Sequence, residues 1–190
     1  VLKTETNPLK HWTPTHLHIG SDHLPARVAV LSGGKIPPGA SGLAQLVLPH
    51  DAFALCGDRF VLRDQSAQRT IAGGHIIDPF SSKRGRAKPS RIAILKDMSK
   101  ENTAAVLQAL ARRSESGVQL QPFAISHNLP SDQIDAIIVS LGLLRVGDAP
   151  KERVFCESRW RGLMDLILNA IGSIHKSKPK SIGASIEDIQ

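Results

Sequence analysis

Cysteine is scarce. The 190 residues hold two, Cys56 and Cys156, 100 positions apart and each without a CxxC neighbour. That excludes the metal and redox motifs that cysteine spacing can reveal. Free thiols in a reducing compartment are the expectation, with a structural disulfide as the alternative. No secretory leader stands at the start and no apolar run is long enough to span a bilayer, so a cytoplasmic protein is expected, with no membrane partner. A phosphate-cradling GxxxxGK[ST] loop is missing, as are DxxG and NKxD. Gly33-Gly34 and Gly73-Gly74 cannot stand in, because no Lys-Ser/Thr follows either pair. No Ser-His-Asp or Cys-His set has a believable context, so no catalytic residue is expected and the chain is read as non-enzymatic.

Acidic charge is also short. Lys and Arg number 24 against 17 Asp and Glu, a net of +7. The excess lies almost wholly in the first half: Val1 to Arg91 holds 12 basic and 6 acidic residues, the remainder 12 and 11. Such a balance suits a polyanionic partner such as RNA, or a generic basic surface. The chain opens on Val1 and stops at Gln190 inside a helix-like stretch, which suggests a piece of a longer protein.

The hydrophobic period changes partway along. From Thr13 to Phe80 short alternating runs stand between turn signals: Thr15 to Ile19, Arg27 to Leu31, Leu43 to Leu48, Asp58 to Arg63, Thr70 to Ala72 and His75 to Ile77. That pattern predicts a small antiparallel barrel or sandwich over residues 1–80. Residues 81–98 begin with Lys83, Arg84, Arg86, Lys88 and Arg91 among Ser, Gly and Pro. They read as a basic linker, either a solvated hinge or one that also touches phosphate.

Beyond it the period is helical. Ser99 is a candidate cap for a helix with Ala104, Leu107, Leu110 and Ala111 on one stripe. Val118 to Ile125 predicts a second, short helix. Pro130-Ser131 opens a third, with Gly142 as its stop. A hairpin from Leu143 to Phe155 follows. Three helices and a two-stranded ribbon make an α+β winged-helix order for residues 99–157. Ser158 then starts a helix with an apolar stripe from Trp160 to Ile174, and Ser185 opens another. Residues 158–190 therefore read as an incomplete second winged helix, packed on the first unit or left partly exposed.

The first half carries a string of family-like motifs. It runs His11-Trp12-Thr13-Pro14, Gly57-Asp58-Arg59-Phe60-Val61-Leu62-Arg63-Asp64, Gln68-Arg69-Thr70-Ile71-Ala72-Gly73-Gly74 and Asp78-Pro79. In this order they resemble the third domain of the elongation factor Tu superfamily, and within it the selenocysteine-specific elongation factors. The resemblance is strong from Pro8 to Pro79 and moderate from Gly117 to Val146. It implies a tRNA-facing barrel tethered to a winged-helix arm. It implies selenocysteinyl-tRNA and the ribosome as partners, and an mRNA hairpin only through later winged helices that this chain does not contain. GTP and Mg²⁺ belong to a GTPase domain missing from this chain, so no cofactor is expected here, and a monomer is.

By motif position the tRNA-binding candidates are Lys10 and His11 before the first strand, with Arg69, Gly73 and Gly74 near the last. The glycines would let an RNA backbone approach closely, or else mark a bulge or tight strand packing. Arg59 and Arg63 share one strand face and are expected to pair with Asp58 or Asp64. His16, His18 and His23 lack supporting ligands for zinc. The third helix offers Ser131, Asp132, Gln133, Asp135 and Ser140 on its exposed side, with no cation. A groove-reading helix would be basic, so it reads as a spacer or protein-facing element. The competing reading is a free-standing winged-helix nucleic-acid-binding regulator with a β-barrel domain.

Overall fold

The computed structural model describes residues 1–82, 84–100 and 102–177. Strands come first: β1 (Leu9–Lys10), β2 (Thr13–Ile19), β3 (Asp22–Val30), β4 (Lys35–Ile36), β5 (Ala44–Val47), β6 (Arg59–Arg63) and β7 (Thr70–His75). Then follow α1 (Pro89–Met98), α2 (Thr103–Arg113), β8 (Val118–Gln119), α3 (Leu120–Ser126), α4 (Ser131–Ser140), β9 (Leu144–Val146), β10 (Arg153–Phe155) and α5 (Glu157–Ser177). Two compact units result, residues 1–106 with 122–130 and, among the described residues, 107–121 with 131–177.

In the first unit the sheet runs β5-β3-β2-β6-β7, wholly antiparallel, with β1-β4 as a separate ribbon. It is a curled, barrel-like arrangement. Alternation sends Leu17 and Ile19, Ala26, Val28 and Val30, and Leu62 inward to one core with Leu9, Ile36 and Ile71. Burying each large side chain of that set stabilises the fold by about 1.5–3 kcal/mol.

The structure departs from the sequence reading in several places. Strand β3 starts at Asp22, because the whole of β2 pairs with it from Thr13↔Val28 to Ile19↔Asp22. β7 is one strand through Gly73 and Gly74, paired with β6 across an irregularity at Leu62/Arg63. The expected pairing of Arg59 and Arg63 with Asp58 or Asp64 does not form. The Asp58 carboxylate accepts the Leu55 amide. That of Asp64 closes its own turn, accepting the amides of Gln68 at 3.0 Å and Arg69 at 3.3 Å and the Ser66 hydroxyl. Arg63 donates instead to the Ala67 carbonyl.

Residues 81–98 hold more structure than a plain linker. Ser81 and Ser82 accept hydrogen bonds from the Gln45 amide. The Arg86 guanidinium lies over the Trp12 ring at 5.9 Å. Pro89 then starts α1 from its first turn, where a missing N–H costs nothing, and Arg91 forms an ion pair with Asp78.

Ser99 does not cap α2; it closes α1, its amide bonding the Leu95 carbonyl and its hydroxyl the Lys96 carbonyl. Asn102 is the cap of α2, its side-chain oxygen accepting the amides of Ala104 and Ala105. In the first unit, too, the Cys56 amide bonds the Ser126 carbonyl at 2.7 Å.

The second unit holds the sheet β8-β10-β9. Strand β8 was not foreseen; it is two residues long and pairs only with β10. Leu107, Ala111, Ile134, Ile138 and Val154 are buried. Helix α4 ends as the glycine predicted: Gly142 takes φ 61°, and the amides of Gly142 and Leu143 return to the carbonyls of Val139 and Ile138. Helix α5 buries no residue fully; Leu166 and Leu168 stay 69% and 60% exposed. The helix expected from Ser185 lies outside the described residues.

Candidate nucleic-acid interface

The residues proposed from motif position fall at separate places. Lys10 sits on β1 opposite Lys35 of β4, and both are exposed. The His11 imidazole Nδ1 contacts the Val30 carbonyl at 3.2 Å and its ring stacks on Trp12 at 5.8 Å. Arg69 is held by carboxylates, an ion pair with Glu5 and a longer contact to Asp64 at 3.9 Å. It lines a shallow cleft of about 290 Å³ with Glu5, Asn7, Thr13 and Asp64. Desolvation opposes ionisation of Asp64, but the Arg69 and Gln68 amides, the Ser66 hydroxyl and the Arg69 charge outweigh it and hold its pKa below the ordinary value. Arg69 therefore arrives with its charge already answered.

Gly73 and Gly74 lie on opposite faces of β7. Gly74 is in register with Phe60, and a Cβ there would stand 2.9 Å from the Phe60 ring, so the glycine makes room for that side chain. Gly73 is in register with Val61 and exposed.

A second cationic surface emerges from register. His16 pairs with Arg63 on one side and Pro25 on the other; His18 pairs with Val61 and His23. Arg27 lies opposite Pro14, and Arg59 opposite His75. Directly paired residues share a face, so these arginines and histidines all project from the side of the sheet away from the core. The outward positions of β2, β3, β5, β6 and β7 carry no carboxylate. Arg27 donates to the Trp12 carbonyl and Arg63 to that of Ala67, which leaves both charges uncompensated.

His18 is half-buried. Its ring stacks on His23 at 6.2 Å, and Nε2 is enclosed with no hydrogen-bond partner. Desolvation first, then the positive charge of Arg63 and the neighbouring His23 and His16, lowers its pKa. Sequence reasoning saw that His16 and His18 share a face, and that Arg59 and Arg63 do. It missed that the two faces are one, because only pairing between strands reveals it.

Among the described residues no group of three His, Cys, Asp or Glu could hold a metal ion. Both cysteines are free thiols. Burial pushes the Cys56 thiol up despite a hydrogen bond with Ser126, and Asp78 and Asp58 push it the same way; its Sγ donates to the Ile77 carbonyl.

The curled antiparallel sheet is of the β-barrel class. Residues 1–83 match the family described as the selenocysteine-specific elongation factor, beta-barrel domain. Similarity continues beyond the barrel. A selenocysteine-specific elongation factor of Desulfomicrobium baculatum is 27% identical over 187 residues, 97% of this chain and 30% of that protein. One from Escherichia coli is 31% identical over 147 residues, 77% of this chain and 22% of that protein. The fold is similar to the crystal structure of a bacterial selenocysteine-specific elongation factor, with a TM-score of 0.59 at 15% identity, over 98% of this chain and 28% of that one. Residues 1–83 carry the family's barrel domain, and the chain as a whole is similar to selenocysteine-specific elongation factors and spans under a third of the length of the curated relatives it matches. Among the described residues no helix is long and apolar enough to cross a membrane.

Proposed function

We propose that the chain is the tRNA-contacting barrel and arm joint of a factor that delivers selenocysteinyl-tRNA to the ribosome at recoded UGA codons. The observation that carries this reading is a barrel of that family with a carboxylate-free cationic face. GTP and Mg²⁺ chemistry belongs to a separate domain of the whole factor, which works in the cytoplasm as a monomer. In this reading α2, α3 and α4 with β8, β9 and β10 form a winged-helix unit. Their order of helix, strand, two helices and a two-stranded ribbon supports that assignment. Helix α5, with its unburied apolar side, begins the next unit, and later units bind the mRNA hairpin.

A DNA-reading regulator is disfavoured by α4. Its exposed side carries Asp132 and Asp135, and Arg145, which bonds it, is engaged by acids. Arg145 donates to Asp135 at 2.6 Å and to Glu152 at 2.7 and 3.1 Å. The hydrogen bonds to Glu152 raise its pKa most; desolvation opposes them and Asp135 adds to them. The test is anisotropy of labelled tRNA titrated with the chain at low salt. The expected Kd is about 1–100 µM, rising steeply with salt. Absence of tRNA binding, or tighter sequence-dependent binding to duplex DNA, would overturn the reading.

A further inference from the structure

We infer that residues 84–88 form a strap that closes over the outer surface of the first unit's sheet and opens on its own while the sheet stays folded, with the contact of Arg86 on Trp12 as its latch.

The path of the strap follows from register. On β3, Arg27 is exposed while Val28 and Val30 belong to the core, so Ala29 has outward parity. Yet Ala29 is 0% exposed without being a member of that core. It is therefore covered from the outer side. Gln45 of β5 stands beside it in register. On its other side β2 opens with Thr13 opposite Val28, which brings Trp12 next to it; the Trp12 amide bonds the Val28 carbonyl at 2.6 Å. Both of these neighbours are held by the chain that leaves the barrel. Gln45 donates to Ser81 and Ser82, and the Arg86 guanidinium lies over the Trp12 ring at 5.9 Å. The two anchors are two strand spacings apart, about 10 Å, and the run from Ser82 to Arg86 can reach about 14 Å. The strap thus crosses above Ala29, whose single methyl group leaves space beneath it.

Little holds the strap down. Of residues 84–88 only Arg86 is half-buried; the others are exposed. Their remaining order is local: the Ser82 hydroxyl bonds the backbone of Arg84, and the Lys88 amide returns to the carbonyl of Gly85, which takes φ 69°. A segment with so few buried contacts opens well before the sheet unfolds. Trp12 supplies the other half of the latch. Its φ is 70°, a conformation that bulky side chains rarely adopt, and its ring also stacks on His11. Glycine or asparagine would make the same corner between β1 and β2 with less strain. The ring, not the turn, accounts for a tryptophan at this position.

Limited trypsin digestion of the whole chain, read by mass spectrometry, tests the latch. The Arg84–Gly85 bond sits in the turn and has to leave the sheet before it fits a protease, so its cleavage rate follows the opening equilibrium. Arg86→Gln and Trp12→Asn should each speed cleavage after Arg84 about three- to fivefold, the worth of one partly exposed cation–π contact. The joint variant should be no faster than either alone, because both remove the same contact. Arg86→Lys keeps a cation over the ring and should stay nearer the parent. The melting temperature of Arg86→Gln should match the parent's. Acrylamide quenching of Trp12, read in a Trp160→Phe background so that it is the sole tryptophan, should rise with Arg86→Gln. Unchanged cleavage and quenching in Arg86→Gln would overturn the latch. So would additive effects of the two substitutions, which would mean that Arg86 and Trp12 act separately. If Arg86→Gln speeds cleavage after Arg27, Arg59 and Arg63 as much as after Arg84, the sheet loosens with the strap and the strap has no opening of its own.

Discussion

At Gly117 two constraints meet. Its φ is 73°, and a Cβ would lie 2.6–2.9 Å from the ring atoms of Phe155. Phe155 is 4% exposed and packs against Trp160 at 5.3 Å, so its ring has little room to give. The left-handed backbone costs a non-glycine residue about 1–2 kcal/mol, and overpacking about 1–3 more. Gly117→Ala should therefore lower the urea midpoint by an amount worth roughly 2–5 kcal/mol, with the slope unchanged. An unmoved midpoint would mean that Phe155 swings aside. His18 supports a different kind of prediction. Its pKa is lowered in the folded chain, so the unfolded chain binds the proton more readily. Its contribution is intact above the ordinary histidine value of 6.5 and shrinks as pH falls below that value, levelling off below the folded one. Melting temperature followed from about pH 8 to about pH 5 should fall more for the parent than for His18→Gln; parallel curves would remove His18 as the cause.

Among the elements, α2 gives the sharpest test. Asn102 bonds two amides of its first turn, so Asn102→Ala should destabilise by about 1 kcal/mol in chemical unfolding. Ser99→Ala should leave α2 capped, because Ser99 serves α1. The sequence misassigned that cap because Ser99 and Asn102 are both good cap residues, and nothing local says where α1 ends. The alternation of Thr15 to Ile19 and of Arg59 to Arg63 made β2 and β6 legible, and the stripe of α4 with Gly142 fixed that helix closely. β1, β4 and β8 were invisible because a two-residue strand has no period. Helix α1 was hidden because only Leu95 is buried along it, which leaves no stripe to read. The site was legible by halves: side-chain parity within a strand is a property of sequence, whereas the union of His16, His18, Arg59 and Arg63 on one face depends on which strands pair.

For the whole molecule, charge is distributed so that one half can attract a polyanion and the other cannot. Some cations of the second half are balanced locally. Arg145 is shared by Asp135 and Glu152, and Arg161 pairs with Glu157. The remaining cations there stand against a nearly equal number of acids, so their summed field is weak at distances beyond about 8–10 Å in physiological salt. In the first half Arg27, Arg59 and Arg63 act from one carboxylate-free face, and their fields add. Removing two charges should therefore have unequal effects depending on where they are taken. Joint Arg112→Gln and Lys151→Gln, both exposed in the second half, should leave tRNA affinity within about twofold of the parent, whereas joint Arg59→Gln and Arg63→Gln should cost about tenfold. Net charge falls by the same two units in each variant. Equal losses would mean that tRNA feels only the total charge of the chain; unequal losses in this direction mean that it docks on the sheet.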